Sequence, residues 1–136
     1  IMEPQLKTRR IKLTTTKPSE PVYVLGDQLR LEQVIVNLLR NALDATNSVG
    51  VPAIEILLVA GETVTLSVRD NGEGIKDLDA LFEPFFTTKN PGDGVGLGLA
   101  ISSGIVSDMG GRLTARNAET GGAVFEVQLP THSNDL

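Results

Sequence analysis

The sequence predicts an α+β fold, a two-layer α/β sandwich in which one mixed, mostly antiparallel sheet carries helices on one face. Three observations lead there. Segments with the two-residue alternation of strands alternate along the chain with longer segments of helical apolar spacing. Two pairs of neighbouring strands are separated only by short glycine turns, at Gly61-Glu62 and at Gly121-Gly122, which marks hairpins. Hairpins are incompatible with a purely parallel βαβ winding, so the sheet is mixed and its helices lie to one side.

The elements follow in order. In "RRIKLTTT" (9–16), Ile11, Leu13 and Thr15 alternate with Lys12, Thr14 and Thr16, the pattern of a half-buried strand. "KPSEP" (17–21) is a loop and "VYVL" (22–25) a short second strand, broken by Gly26. Asp27 stands where an N-cap belongs, ahead of a long helix reaching about Thr46. "AIEILLVA" (53–60) and "TVTLSVR" (63–69) form the first hairpin. "DNGEGI" (70–75) is a glycine-rich turn, and "DLDALFEPFF" (77–86) a short helix running into a loop. "TTKNPGDGVGLG" (87–98) carries glycines at 92, 94, 96 and 98 and leads into a helix, "LAISSGIVSDMG" (99–110). "GRLTARN" (111–117) and "AVFEVQLP" (123–130) are the last strands, and 131–136 is a polar tail expected to fray.

A chain of 136 residues suits one domain, and no internal repeat or second domain is visible. Hydrophobic residues make up 40% and aromatics only 4%, so the core is built from Leu, Val, Ile and Ala. Cysteine is absent, which excludes a disulfide framework and a thiolate-held metal and fits a reducing cytoplasm. A formal net charge of −5 argues against a domain built to grip nucleic acid. Any phosphate ligand would therefore need a metal ion or backbone N–H groups. No apolar run reaches membrane-spanning length, and no signal peptide is visible. The opening "IMEPQL" reads as the end of a longer helix, the mark of a piece cut from a larger protein.

"NLLRNALDA" (37–45) places two asparagines four residues apart in an otherwise apolar helix. Asparagine is a mediocre helix former, because its amide competes for backbone hydrogen bonds. On a helical wheel, Leu29, Leu31, Val34, Ile35, Val36, Leu38, Leu39, Ala42, Leu43 and Ala45 cover more than half the circumference. The polar strip opposite is Arg30, Gln33, Asn37, Arg40, Asn41 and Asp44, with oxygen-bearing side chains at its centre. Oxygen donors in a line suit a hard cation such as Mg²⁺. A thin solvent-facing stripe is the alternative.

Two glycine turns add to this. Asp70 ends a buried strand and is followed by Gly72 and Gly74, which permit positive φ and close approach of a ligand. A carboxylate there can accept a hydrogen bond from an exocyclic amine of the kind adenine carries; an Asp-capped turn is the plain alternative. "GDGVGLGLAI" is a glycine loop entering a helix, and a helix N-terminus is an anion site. It is not a P-loop, because Leu99 and Ala100 follow where a lysine is needed, and it is not the dinucleotide fingerprint, whose glycine spacing differs. A floppy linker is the alternative here.

Taken together and in order, "NLLRNALDA", "DNGEGI", "LFEPFFTTK" and "GVGLGLAIS" resemble the N, G1, F and G2 boxes of bacterial sensor histidine kinases. That family belongs to the wider ATPase group that includes gyrase, the Hsp90 chaperones and MutL. The resemblance spans about residues 20–130 and is closest in flavour to the nitrogen-regulation and C4-dicarboxylate-transport sensor kinases, for which "NALDA" and "FEPFFTTK" are typical. It implies a Bergerat-type sandwich that binds Mg-ATP under a mobile lid. Asn41 would ligate Mg²⁺, with Asn37 beside the metal and phosphates and Asp44 nearby on the same strip. Asp70 would accept from the adenine amine, in a pocket shaped by Gly72, Gly74 and Ile75. Phe82, Phe85 and Phe86 would anchor the lid, and Thr88 and Lys89 would ride on it, Lys89 reaching the phosphates. Gly94, Val95, Gly96, Leu97, Gly98 and Leu99 would close over the nucleotide and offer N–H groups.

The resemblance further implies transfer of the γ-phosphate to a histidine on a separate dimerisation domain, from which a response regulator is served. The catalytic residues would be Asn37, Asn41 and Lys89. Residues 1–8 would end the linker from that domain, and the parent would be a membrane-bound kinase with this part in the cytoplasm, monomeric in isolation. There are two departures. Ala123 stands where many relatives have threonine, and the phosphoacceptor is missing, since the only histidine, His132, lies in the polar tail and is followed by Ser133. The enzyme alternative is a gyrase-, chaperone- or mismatch-repair-type ATP hydrolase, in which a glutamate one turn before the metal asparagine activates water. Asn37 holds that position, and a neutral amide is not a base. A nucleotide-gated interaction module is the non-catalytic alternative.

Overall fold

The computed structural model describes residues 11–83 and 98–132. Five strands and two helices make one sheet with helices against it: β1 (Lys12–Thr16), α1 (Gln28–Ala45), β2 (Ala53–Val59), β3 (Thr63–Asp70), α2 (Gly98–Asp108), β4 (Arg112–Asn117) and β5 (Ala123–Pro130). The sheet order is β1-β2-β3-β5-β4. Only β1 and β2 are parallel; the other three pairings are antiparallel. The parallel pair is joined through α1, as a crossover connection requires, while β2–β3 and β4–β5 are the two expected hairpins.

Helix α1 starts where its cap dictates. Asp27 is extended (φ −90°, ψ 118°), and its carboxylate accepts from the N–H groups of Leu29 and Arg30. Val34, Leu38, Ala42 and Leu43 are buried, the i, i+4, i+8 row of one face. At its C-terminus the fully buried Thr46 turns its hydroxyl onto the carbonyls of Ala42 and Leu43, both at 3.0 Å. α1 packs on β3 and α2, and α2 packs on β4 and β5. Val68 of β3 and the alternating inward residues of β5 (Phe125, Val127, Leu129) complete one continuous core with Ile105 and Val106 of α2. An exposed ion pair, Arg30 to Asp108 at 2.9 Å, joins the start of α1 to the end of α2.

Four expectations are corrected. β1 is exposed along its whole length rather than half-buried, because it is an edge strand with neither helix packed on it. Residues 22–25 form no strand: the prolines at 18 and 21 remove donors just upstream, and the segment's one backbone bond outside regular elements is His132 N–H to the Tyr23 carbonyl. Residues 78–82 make turns rather than a helix, with Glu83 N–H bonded to Ala80 O and Ala80 N–H to the Asp77 carboxylate. Pro84, next in sequence, disfavours helical backbone at Glu83. The first two tail residues are tied down, Thr131 by its hydroxyl to Gly61 O at 2.8 Å and His132 by its backbone. The expectations for 1–8, for 84–97 and for 133–136 lie outside the described residues. No helix among those described is long and apolar enough to cross a membrane.

Burial separates two leucines on α1. Leu38 is 0% exposed and Leu29 is 76% exposed. Leu38→Ala is expected to lower the unfolding free energy by about 2–5 kcal/mol and Leu29→Ala by less than about 0.5 kcal/mol, read by urea denaturation.

Candidate functional site

Asp70 is the last residue of β3 and is only 3% exposed. Its Oδ1 accepts two backbone N–H groups from opposite directions, Gly72 at 2.8 Å and Ala123 at 3.3 Å. Oδ2 makes no hydrogen bond among the described residues, and none of those residues holds a sealed, partnerless polar atom. Oδ2 is therefore the acceptor that remains open to the surface. Burial pushes the carboxyl above the ordinary carboxylate range, and the N–H groups of Gly72 and Ala123 oppose that without cancelling it.

The turn after Asp70 is pressed against three neighbours, and missing side chains allow it. A Cβ on Gly72 would lie 2.2 Å from the carbonyl oxygen of Ala45, so the turn rests directly on the C-terminus of α1. A Cβ on Gly122 would lie 2.0 Å from the Asp70 carbonyl, and Gly122 has φ +88° as well. Gly74 has φ +82° and stands against the Asn117 carboxamide. Asn117 bonds both backbone groups of Ile75, accepting from its N–H at 2.7 Å and donating to its carbonyl at 3.0 Å. Asn71 clamps the other side, accepting from Ala53 N–H at 2.9 Å and donating to Val51 O at 2.8 Å.

On α1, Asn37 and Asn41 are half-buried, whereas Arg30, Gln33, Arg40 and Asp44 are exposed. The two carboxamides therefore lie at the border of the buried face rather than in the exposed stripe. Asn37 Nδ2 donates to Ser102 Oγ at 3.1 Å and approaches the Gly98 carbonyl at 3.4 Å, which ties α1 to the first turn of α2. Ser102 is fully buried and Asn37 half-buried, so this link is partly withdrawn from water. Its donor group committed, Asn37 keeps its carboxamide oxygen as an acceptor.

Residues 26–133 match the family of histidine kinase-, DNA gyrase B-, and HSP90-like ATPases. The chain belongs to this family. Among relatives, the two-component sensor PprA of Pseudomonas aeruginosa is 44% identical over 135 residues, covering 92% of this chain and 14% of PprA. The C4-dicarboxylate transport sensor protein DctB of Rhizobium meliloti is 44% identical over 115 residues, covering 82% of this chain and 18% of DctB. The chain thus spans less than a fifth of either sensor. Among solved structures, the catalytic domain of histidine kinase ThkA superposes with a TM-score of 0.83 at 33% identity, covering 95% of this chain and 84% of that one. Full-length ShkA, solved in complex with AMPPNP, gives 0.80 at 31% identity over 97% of this chain and 28% of ShkA.

Within this histidine kinase-type ATPase domain the predicted residues divide into three groups. Asp70, Gly72, Gly74 and Ile75 form one turn that abuts the end of α1, one residue beyond Asp44. Asn37 meets Gly98 at the start of α2, with Asn41 one turn further along α1 and Leu99 next to Gly98. Phe82 is half-buried against the core. Phe85, Phe86, Thr88, Lys89, Gly94, Val95, Gly96 and Leu97 lie outside the described residues. Sequence reasoning missed Asn117, Gly122 and Ser102. The Gly121-Gly122 pair was visible as a turn, but its contact with Asp70 depends on a strand pairing between residues far apart in sequence.

Both donors to Asp70 converge on Oδ1, so an asparagine keeps them with its carbonyl oxygen and carries no charge to bury. Because the folded state holds the Asp70 proton more tightly than the unfolded chain, its contribution to stability is present at low pH and lost as pH rises through its raised range. Asp70→Asn is expected to melt at or above the wild-type temperature at neutral pH, with less decline between about pH 4 and pH 7. Calorimetry across that range checks this; a clearly lower melting temperature at neutral pH contradicts it.

Proposed function

We propose that this chain is the ATP-binding catalytic domain of a two-component sensor kinase. It binds Mg-ATP and passes the γ-phosphate to a histidine on a separate dimerisation domain, which in turn serves a response regulator. The observation that supports this reading is the open Oδ2 of a buried, twice-anchored Asp70, an acceptor of the kind the exocyclic amine of adenine needs. The metal requirement fits the donor set. No group of three or more His, Cys, Asp or Glu among the described residues could hold a metal alone, and Mg²⁺ takes few protein ligands when it arrives on phosphates. Asn41 and Asn37 would hold it through their carboxamide oxygens, and the ion would offset phosphate charge.

The protein's own part is then positioning. Gly72, Gly74 and Ile75 shape the adenine side, and Gly98, Leu99 and the N-terminus of α2 face the phosphates, with Thr88, Lys89, Gly94, Val95, Gly96 and Leu97 completing the site. Asn37 speaks against a hydrolase, because its amide cannot take a proton from water and its Nδ2 is already donating to Ser102. Histidine kinase ThkA has been solved in complex with response regulator protein TrrA, at a TM-score of 0.79 and 30% identity, covering 99% of this chain and 38% of that one, which supports the same class of partner here. In this reading residues 1–8 end a linker, the whole chain is one domain, monomeric alone, and it works in the cytoplasm as part of a larger kinase.

The test is transfer of labelled γ-phosphate from Mg-ATP to the separately made histidine-bearing domain of the parent protein. Acid-labile label should appear on that partner. Asp70→Asn, which turns a donor toward the adenine amine, should lower transfer by at least about 100-fold, and Asn41→Ala should weaken its Mg²⁺ dependence. Steady phosphate release without transfer would establish the hydrolase instead, and nucleotide binding with neither would establish the nucleotide-gated module.

A further inference from the structure

The turn at residues 71–75 has little backbone bonding of its own. Among the described residues, no backbone–backbone hydrogen bond outside the helices and strands involves residues 71–77. Its course is set at four points: Asn71 on Ala53 and Val51 at its start, Gly72 N–H on Asp70, Gly74 at φ +82°, and the two bonds between Asn117 and Ile75. Asn117 is the last residue of β4, so those two bonds fix the turn to the rigid sheet. The same hairpin returns through Gly122, packed on the Asp70 carbonyl, and Ala123, bonded to Oδ1. One hairpin thus holds both Asp70 and the Ile75 end of the turn that follows it.

We infer that Asn117 is a positioning residue for nucleotide selection, its carboxamide holding the Gly74–Ile75 turn at the spacing from Asp70 that accepts adenine and rejects a base without the exocyclic amine. This rests on the adenine role of Asp70. Asn117 is exposed and Ile75 half-buried, so water can replace both bonds when the carboxamide is removed. The loss then falls on the placement of the turn more than on stability. Asn71 supplies a control of the same chemistry: it also accepts one backbone N–H and donates to one backbone carbonyl, but its partners are Ala53 and Val51, on the side away from Ile75.

The experiment is calorimetric titration of this chain, with Mg²⁺, against ATP and against inosine triphosphate, which carries a carbonyl where adenine carries its amine. The wild type should prefer ATP by at least about tenfold. Asn117→Ala should bring that ratio to within about threefold of unity while its melting temperature falls by no more than about 5 °C. Asn117→Asp keeps the acceptor and loses the donor, so its ratio should fall between the two, and it decides the matter if the alanine variant does not fold. Asn71→Ala should keep the wild-type ratio. A wild-type ratio retained in both Asn117 variants, or lost equally in Asn71→Ala, overturns the inference and leaves the Asp70 reading standing. A wild type that does not distinguish the two nucleotides overturns the Asp70 reading and the inference with it.

Discussion

A carboxylate that is 3% exposed must find hydrogen-bond donors, and Asp70 finds them in two backbone N–H groups, one on the turn just after it and one 53 residues further along the chain at the start of β5. That requirement explains much of the architecture around it. β5 has to run beside β3 with Ala123 at the level of the strand's end, which the antiparallel register provides. Gly122 has to lack a side chain, since a Cβ would meet the Asp70 carbonyl at 2.0 Å. The turn has to fold back sharply enough for Gly72 to reach Oδ1, and doing so presses it on the last residue of α1. The arrangement leaves Oδ2 open, which is the chemistry that a nucleotide base can use.

Helix α1 divides its circumference between two duties. Its Val34–Leu38–Ala42 row is fully or almost fully buried in the core and supplies the rigidity. The border of that row carries Asn37 and Asn41 at half burial, where a carboxamide is partly desolvated yet still reachable. Holding Asn37 there asks for something firm alongside, and its part-buried link to the fully buried Ser102 meets that need. The C-terminus of the same helix supports the Asp70 turn through Ala45. One helix thereby sets the spacing between the two carboxamides and the Asp70 carboxylate. The exposed Arg30–Asp108 pair at the other end adds little, as surface ion pairs do.

Five strands, two helices, both hairpins and the Asp27 cap were legible in residue order, because each is governed by near neighbours: period-two or 3.6-residue apolar spacing, a glycine turn, a capping carboxylate. Two of the misreadings share a cause. Residues 22–25 have strand composition but lie outside the sheet, and β1 has an alternating pattern but sits at the edge. Whether a segment is paired or covered is decided by what lies beside it. Asp70 was legible as a carboxylate at a strand end, while Asn117 was not, since asparagine closing a strand is ordinary and only the folded register brings it to Ile75.

The sequence by itself determined which chemical groups are available and which local elements carry them: the paired asparagines on one helix face, the aspartate before a glycine turn, a core built mainly from Leu, Val, Ile and Ala. These follow from side-chain identity and short-range geometry. Tertiary structure alone decided that Asn37 faces Ser102 rather than water, that both donors to Asp70 fall on a single oxygen, and that the β4–β5 hairpin brackets the turn. The physical reason is that each of these depends on packing between segments tens of residues apart, where a burial requirement or a close backbone contact, not any local preference, selects an arrangement that leaves no buried side-chain polar atom among the described residues unpaired.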